Sequence, residues 1–114
     1  MPRTPTYSPG DVVVVPFPFT DREASKRRPA LVCSSAAFNA SSRHVVLAMV
    51  TSATERAWPG DVELRELQSA GLTTRSAVRW KIFTLDDSFV LRRAGKLAEK
   101  DMDACRREVP FGFP

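Results

Sequence analysis

Residues 11–19 read DVVVVPFPF. Four consecutive valines, each branched at Cβ, favour an extended strand over a helix. Pro16 and Pro18 lack the N–H that an interior ladder needs, so the strand must reach a sheet edge or a bulge there. Working outward, residues 20–28 are polar and charged and read as a long loop. Residues 29–34 form a second apolar run, and residues 44–50 a third, unbroken one, too short for a helical pattern. Residues 52–60 make a loop closed by Pro59-Gly60. Residues 61–64 resume as a short strand, and residues 66–70, ended by Gly71, read as one helical turn with a glycine cap. Residues 76–85 alternate: Val78, Trp80 and Ile82 share one face, Arg79 and Lys81 the other. Asp86-Asp87 reads as a hairpin turn before a last strand over residues 89–97. Met102, Cys105 and Val109 then recur at helical spacing, an amphipathic helix over residues 99–109. The ending, 110–114, is an apolar non-helical tail.

Short strands at close spacing with one terminal helix predict a mainly β domain, a small curled antiparallel sheet or barrel. The connections are too short for the crossover helices of a parallel sheet. The 114 residues, 43% hydrophobic and 26% charged, suit a single domain over residues 1–114. No apolar run approaches the ~20 residues of a membrane helix. Residues 1–9 lack the apolar stretch of a secretory signal, so a cytoplasmic location without membrane association is expected. Cys33 and Cys105 then read as small buried hydrophobes. One histidine and no CxxC pair argue against a transition-metal site, and no cofactor is expected.

The charge is uneven. Seventeen Lys and Arg oppose thirteen Asp and Glu, and the excess gathers around Arg22, Lys26, Arg27, Arg28 and Arg43. Thirteen of the seventeen are Arg, a group suited to planar, bidentate phosphate recognition. Pro29 disfavours a helical Arg28, which should be extended and anchored by the strand behind it. A guanidinium so anchored can hold a phosphate in fixed geometry. Lys26 and Arg27 suit generic electrostatic contacts, and the hydroxyls of Thr51-Ser52 end the third strand. Walker, GxGxxG, GxSxG and HExxH motifs are absent. His44, the lone histidine, reads as structural.

Residues 10–34, GDVVVVPFPFTDREASKRRPALVCS, resemble the opening of the MazF/PemK toxins of bacterial type II toxin–antitoxin modules. LAMVTSA (47–53), GDVEL (60–64), AGLTTRSAVRWKIFTL (70–85) and GKLAEKDM (95–102) follow in the family's order and spacing. The resemblance implies a Src-homology-3-like curled barrel with a C-terminal helix, usually a homodimer. It also implies a cognate antitoxin whose acidic, apolar tail folds across the toxin. The implied activity is sequence-specific, metal-independent cleavage of single-stranded RNA, in which the substrate's own 2′-hydroxyl attacks phosphorus and leaves a 2′,3′-cyclic phosphate.

On the family pattern, Arg28 and Thr51 are the catalytic pair and Ser76 an RNA or oxyanion contact. Lys26, Arg27, Ser52, Trp58 and Lys81 complete the expected RNA contacts; Trp58 suits either base stacking or packing. The chain departs from the pattern at Asp61, where some relatives show His, which sets a like charge against RNA. It departs again at Ala98, where Ser often caps the last helix. Two other readings stand beside this one: a non-enzymatic toxin of the same barrel that poisons a protein target such as DNA gyrase, and a plain RNA-binding module.

Overall fold

The computed structural model describes residues 6–16, 27–54 and 56–113. Strands β1 (Asp11–Pro16), β2 (Arg27–Val32), β3 (His44–Ser52), β4 (Val62–Glu63), β5 (Ser76–Asp86) and β6 (Arg92–Lys96) form one antiparallel sheet, ordered β4-β5-β3-β2-β1-β6. Helix α1 (Ala36–Ser42) joins β2 to β3, and α2 (Glu99–Glu108) follows β6. The expected mainly β, curled architecture with a C-terminal helix is therefore present.

The apolar runs are unbroken because both faces of the sheet are covered. On one face Val12, Leu31, Val50 and Val78 pack with Leu64, Leu97 and, from α2, Met102 and Cys105. On the other, Val13, Val15, Ala30, Val32, Leu47 and Phe83 pack with Tyr7. This corrects the polar face expected for residues 76–85. Val78 and Trp80 do join the first cluster, but Ile82 is exposed, and Ala77, Arg79 and Phe83 are buried on the opposite side. The face that carries Arg79 and Phe83 is covered by the segment over residues 56–61, to which Arg79 hydrogen-bonds, and by the second cluster, which takes in Phe83. Its pairing with β3 shifts where Ala48 faces Ile82 and Met49 faces Arg79, leaving Trp80 and Lys81 as excess. A two-residue excess preserves side-chain parity while bending the strand.

Pro16 pairs with Arg27 of β2, while the ladder of β1 with β6 ends at Val14 opposite Arg92. The proline thus sits where β1 has only one neighbour, as its missing donor requires. Phe17, Pro18, Phe19 and residues 20–26 of the expected loop lie outside the described residues. β2 begins at Arg27, so Arg27 and Arg28 belong to the strand rather than to the loop. Asp86-Asp87 is not a hairpin turn. β5 and β6 are not neighbours, and a 3₁₀ turn over Asp87–Phe89 links them, with the Asp86 side chain accepting from Ser88 N–H. Buried Asp87 pairs there with Arg43 at 3.3 Å.

The sheet is closed by the chain after β4. Lys96 N–H on the outer edge of β6 donates to the Ser69 carbonyl at 2.8 Å. The single turn expected over residues 66–70 exists and ends as a Schellman motif: Leu72 N–H reaches the Leu67 carbonyl, Gly71 N–H the Gln68 carbonyl, and Gly71 has φ 75°. A Cβ on Gly71 would lie 2.0 Å from the Ala94 oxygen, and one on Gly95 would lie 2.3 Å from the Ser69 oxygen. Backbone meets backbone here, and neither can retreat.

Helix α1 was not foreseen. Ser35 caps it by accepting from Phe38 N–H, and Arg43 ends it in the left-handed region at φ 60°. Buried Asn39 anchors it, donating to the carbonyls of Tyr7 (2.8 Å) and Ser34 (3.2 Å). An element docked through an amide leaves no apolar stripe to read. Helix α2 carries the predicted stripe, with Met102 and Cys105 buried, and Ala98 at its N-cap makes no side-chain hydrogen bond. Burial pushes the Cys33 and Cys105 thiols up to about 12, so both behave as the apolar groups expected. In the tail, Phe113 packs on the first cluster and Phe111 lines an apolar hollow with Phe38, Cys33 and Val46. His44 Nδ1 lies 2.9 Å from the Ser42 carbonyl, a structural role. No helix among the described residues is long and apolar enough to cross a membrane.

Two stability outcomes follow from this packing. Gly95→Ala or Gly71→Ala should cost about 3 kcal/mol in denaturant unfolding, because the added methyl meets a carbonyl and, at Gly71, a left-handed φ as well; a cost below 1 kcal/mol would show that the closure yields. Ala98→Ser should add about 1 kcal/mol by supplying the missing cap.

Candidate functional site

β2 and β3 pair antiparallel, Ala30 opposite Met49 and Leu31 opposite Ala48. Carried two residues further, this register sets Arg28 level with Thr51. Alternation gives both side chains to one face: Arg28 shares parity with Ala30 and Val32, Thr51 with Leu47 and Met49, all of the second cluster. Arg28 is flanked on its other side by Val15 of β1. Arg28 is only partly exposed, with its Nε sealed from solvent, and Thr51 is buried. The strand thus holds the charge at the sheet's end, as Pro29 leads one to expect.

Across β3, Thr51 faces Ala77 and Ser52 faces Ser76. Partners in a ladder share a face, so Ser52 and Ser76 lie on the side opposite Arg28 and Thr51. Ser76 is buried and its Oγ donates to the Thr74 carbonyl at 2.8 Å. Ser52 is exposed and its Oγ lies 2.7 Å from Thr54 Oγ1. Arg27 is exposed opposite Pro16. Lys81 is half-buried in the bulge of β5. Lys26 lies outside the described residues.

Beyond Thr51 and Ala77, the same face continues into an arrangement that sequence reading missed. Arg79 Nε and Nη2 donate to the two carboxylate oxygens of Asp61 at 3.2 and 2.9 Å. Nη2 also donates to the Arg56 carbonyl at 2.7 Å. Desolvation acts to raise the Asp61 carboxyl, but the bonds from Arg79 and from Trp58 N–H outweigh it and hold the group below the ordinary carboxylate range. The Asp61 charge is therefore matched within the fold, not bare toward a polyanion as the sequence suggested. Trp58 is 47% exposed, with its ring centroid 4.7 Å from the Arg79 guanidinium carbon. Asp61, Glu63, Ser52, Ala53, Ala57 and Ala77 line a hollow of about 180 Å³ beside the ends of β3 and β5. The only early sign of Arg79 was a charged residue on a strand with apolar residues on both sides.

Comparison with known proteins places the chain in a family. A profile of the PemK-like, MazF-like toxins of type II toxin–antitoxin systems matches residues 8–111. The chain belongs to this toxin family. Among solved structures, MazF from Deinococcus radiodurans superposes with a TM-score of 0.72 at 22% identity, over 93% of this chain and 94% of that one. An endoribonuclease from Mycobacterial species, in complex with its cognate antitoxin, gives 0.70 at 17% identity over 95% and 99%. The Mycobacterium tuberculosis toxin MazF-mt6 gives 0.68 at 19% identity over 87% and 91%. At these identities the likeness establishes the MazF fold. No curated protein sequence matches the chain.

The Arg79–Asp61 pair, with side chains 9% and 11% exposed, predicts a pH signature. Asp61→Asn should cost about 2 kcal/mol at pH 7, because Arg79 loses its counter-charge in a desolvated place. A carboxyl whose folded pKa lies below the unfolded value of about 3.9 stabilises above that value and loses its contribution as pH falls through the folded one. The gap between wild type and Asp61→Asn should therefore narrow below about pH 4; a pH-independent gap in unfolding measurements would overturn the assignment.

Proposed function

We propose that this MazF-family protein is the toxin of a type II module and acts as a sequence-specific endoribonuclease on single-stranded RNA, without a metal ion. The observation that supports this best is the placement of Arg28 and Thr51 on one face of neighbouring strands, at the sheet's end. In the proposed step the ribose 2′-oxygen forms a bond to phosphorus and the bond to the 5′-oxygen breaks. A proton leaves the 2′-hydroxyl, another is taken up by the 5′-oxygen, and a 2′,3′-cyclic phosphate remains.

Arg28 stays charged throughout and donates from a rigid fork, so it suits the non-bridging oxygens on which negative charge accumulates. Thr51 is too weak a base to take the 2′-proton and suits orientation of the attacking hydroxyl instead. The site is thus mainly electrostatic. Arg27, Lys81 and Lys26 would add attraction for the backbone, Ser52 and Ser76 polar contacts at the strand ends, and Trp58 a surface for bases. A homodimer and an antitoxin whose acidic, apolar segment covers the Arg28 face complete the proposal.

Purified protein should cleave an unstructured RNA in EDTA and leave cyclic phosphate ends. Arg28→Ala should lower the rate by about 10²–10³ with an unchanged unfolding midpoint. Full activity in that variant, or cleavage only with added metal, would overturn the reading. Growth arrest on expression with intact RNA would favour a protein target instead.

A further inference from the structure

We propose that Arg79 and Asp61 are positioning residues whose buried ion pair holds the Trp58 ring as a stacking platform for one unpaired base beside the scissile linkage. The proposal rests on single-stranded RNA as the substrate, the reading given above.

Residues 56–61 are tied down at three points by this pair. Arg79 reaches both Asp61 oxygens and the Arg56 carbonyl. Asp61 Oδ2 in turn accepts from Trp58 N–H at 2.9 Å. Asp61 N–H also donates to the Trp58 carbonyl at 3.1 Å, so the Trp58 backbone is fixed on both sides. The guanidinium then supports the ring itself, 4.7 Å from its centroid. With that side occupied, 47% of the residue still faces solvent.

Stability alone does not account for this construction. A buried ion pair is often no better than two apolar side chains of the same volume. An indole left half in water forgoes much of the burial that makes tryptophan a good core residue. Trp80, by contrast, packs on the first cluster and donates its Nε1–H to the Gly60 carbonyl at 2.8 Å. The arrangement does suit recognition of unpaired bases, which stack on aromatic rings and guanidinium planes. Every base has a π-face, so such a platform tolerates sequence while fixing register. A ring held before the ligand arrives loses little freedom on binding.

The platform also stands in the right place. Arg79, which lies against the Trp58 ring, stands two residues from Ala77 on the same strand face, and Ala77 is the cross-strand partner of Thr51. A base on Trp58 would thus neighbour the linkage held by Arg28 and Thr51. Asp61, which reads in sequence as a charge opposed to RNA, becomes a residue that supports RNA recognition indirectly.

The test uses an RNA oligonucleotide 2′-O-methylated at every ribose, so that it binds without being cleaved, at one fixed salt concentration. Trp58→Ala should weaken binding by about 5- to 100-fold, while Trp58→Phe retains most of the affinity. Replacing single bases by abasic residues along the probe should reveal one position whose loss weakens wild-type binding by a similar factor and does nothing further to Trp58→Ala. Arg79→Lys, which keeps the charge but loses the fork, should reproduce part of this loss. It should raise KM for a cleavable RNA with kcat changed less than about 3-fold. The same abasic position should lose its effect in that variant.

Unchanged binding by Trp58→Ala would overturn the proposal, as would abasic losses that are equal in Trp58→Ala and wild type at every position. Coupling at one position without any cleavage would support the platform and overturn the nuclease reading. Cleavage without coupling would do the reverse.

Discussion

The structure depends on one backbone contact, the place where Gly71 and Gly95 let the chain after β4 lie directly against β6. The sheet ends at β6, whose outer edge would otherwise remain open to solvent. Unpaired strand edges invite association with other chains. Here the turn over residues 67–72 covers the outer edge of β6 and hydrogen-bonds to Lys96. The approach is too close for any Cβ at either glycine. Once the ends of the sheet are joined, its interior strands are covered on both sides, and the long apolar runs find two cores rather than one.

Closure also makes a second, polar bracket useful. Asp101 at the start of α2 is buried, and its carboxylate accepts from the backbone N–H groups of Arg65 and Glu66 at 3.0–3.1 Å. This holds the segment leaving β4 against the helix. Asp61 stands directly before β4, so the anchoring of the Trp58 loop and the anchoring of the closing turn lie on either side of that short strand. Charge and apolar burial divide the labour: apolar area supplies most of the driving force, while carboxylates aimed at backbone donors fix where short, irregular segments run.

The candidate site follows from the same economy of backbone. Arg28 and Thr51 share a face because their strands are neighbours in fixed register. The bend at Trp80 and Lys81 turns the end of β5 without changing which face each side chain occupies. Arg79, opposite Met49 on the near side of that bend, stays in step with Ala77 opposite Thr51, and Asp61 meets it on that face. A charged side chain at an interior strand position is tolerated only with such a partner. Its presence marks a place where burial is organised around something besides packing.

The sequence by itself determined the strand-rich class, the apolar runs, the α2 stripe, the Gly71 turn and the extended Arg28 before Pro29. These are local matters, set by β-branching, side-chain period and the fixed φ of proline. Family resemblance, rather than local chemistry, singled out Arg28 and Thr51, since a threonine ending a strand is commonplace. What only the tertiary structure decided was non-local. Helix α1 docks through Asn39, an amide that leaves no periodic trace. Arg79, on the charged side of residues 76–85, is buried because the segment over residues 56–61 bonds to it. Asp61 and Arg79 stand 18 positions apart in sequence and meet only because β4 and β5 pair. A charge read along the chain has no partner until the sheet supplies one, and that pairing turns Asp61 from an apparent obstacle into a support.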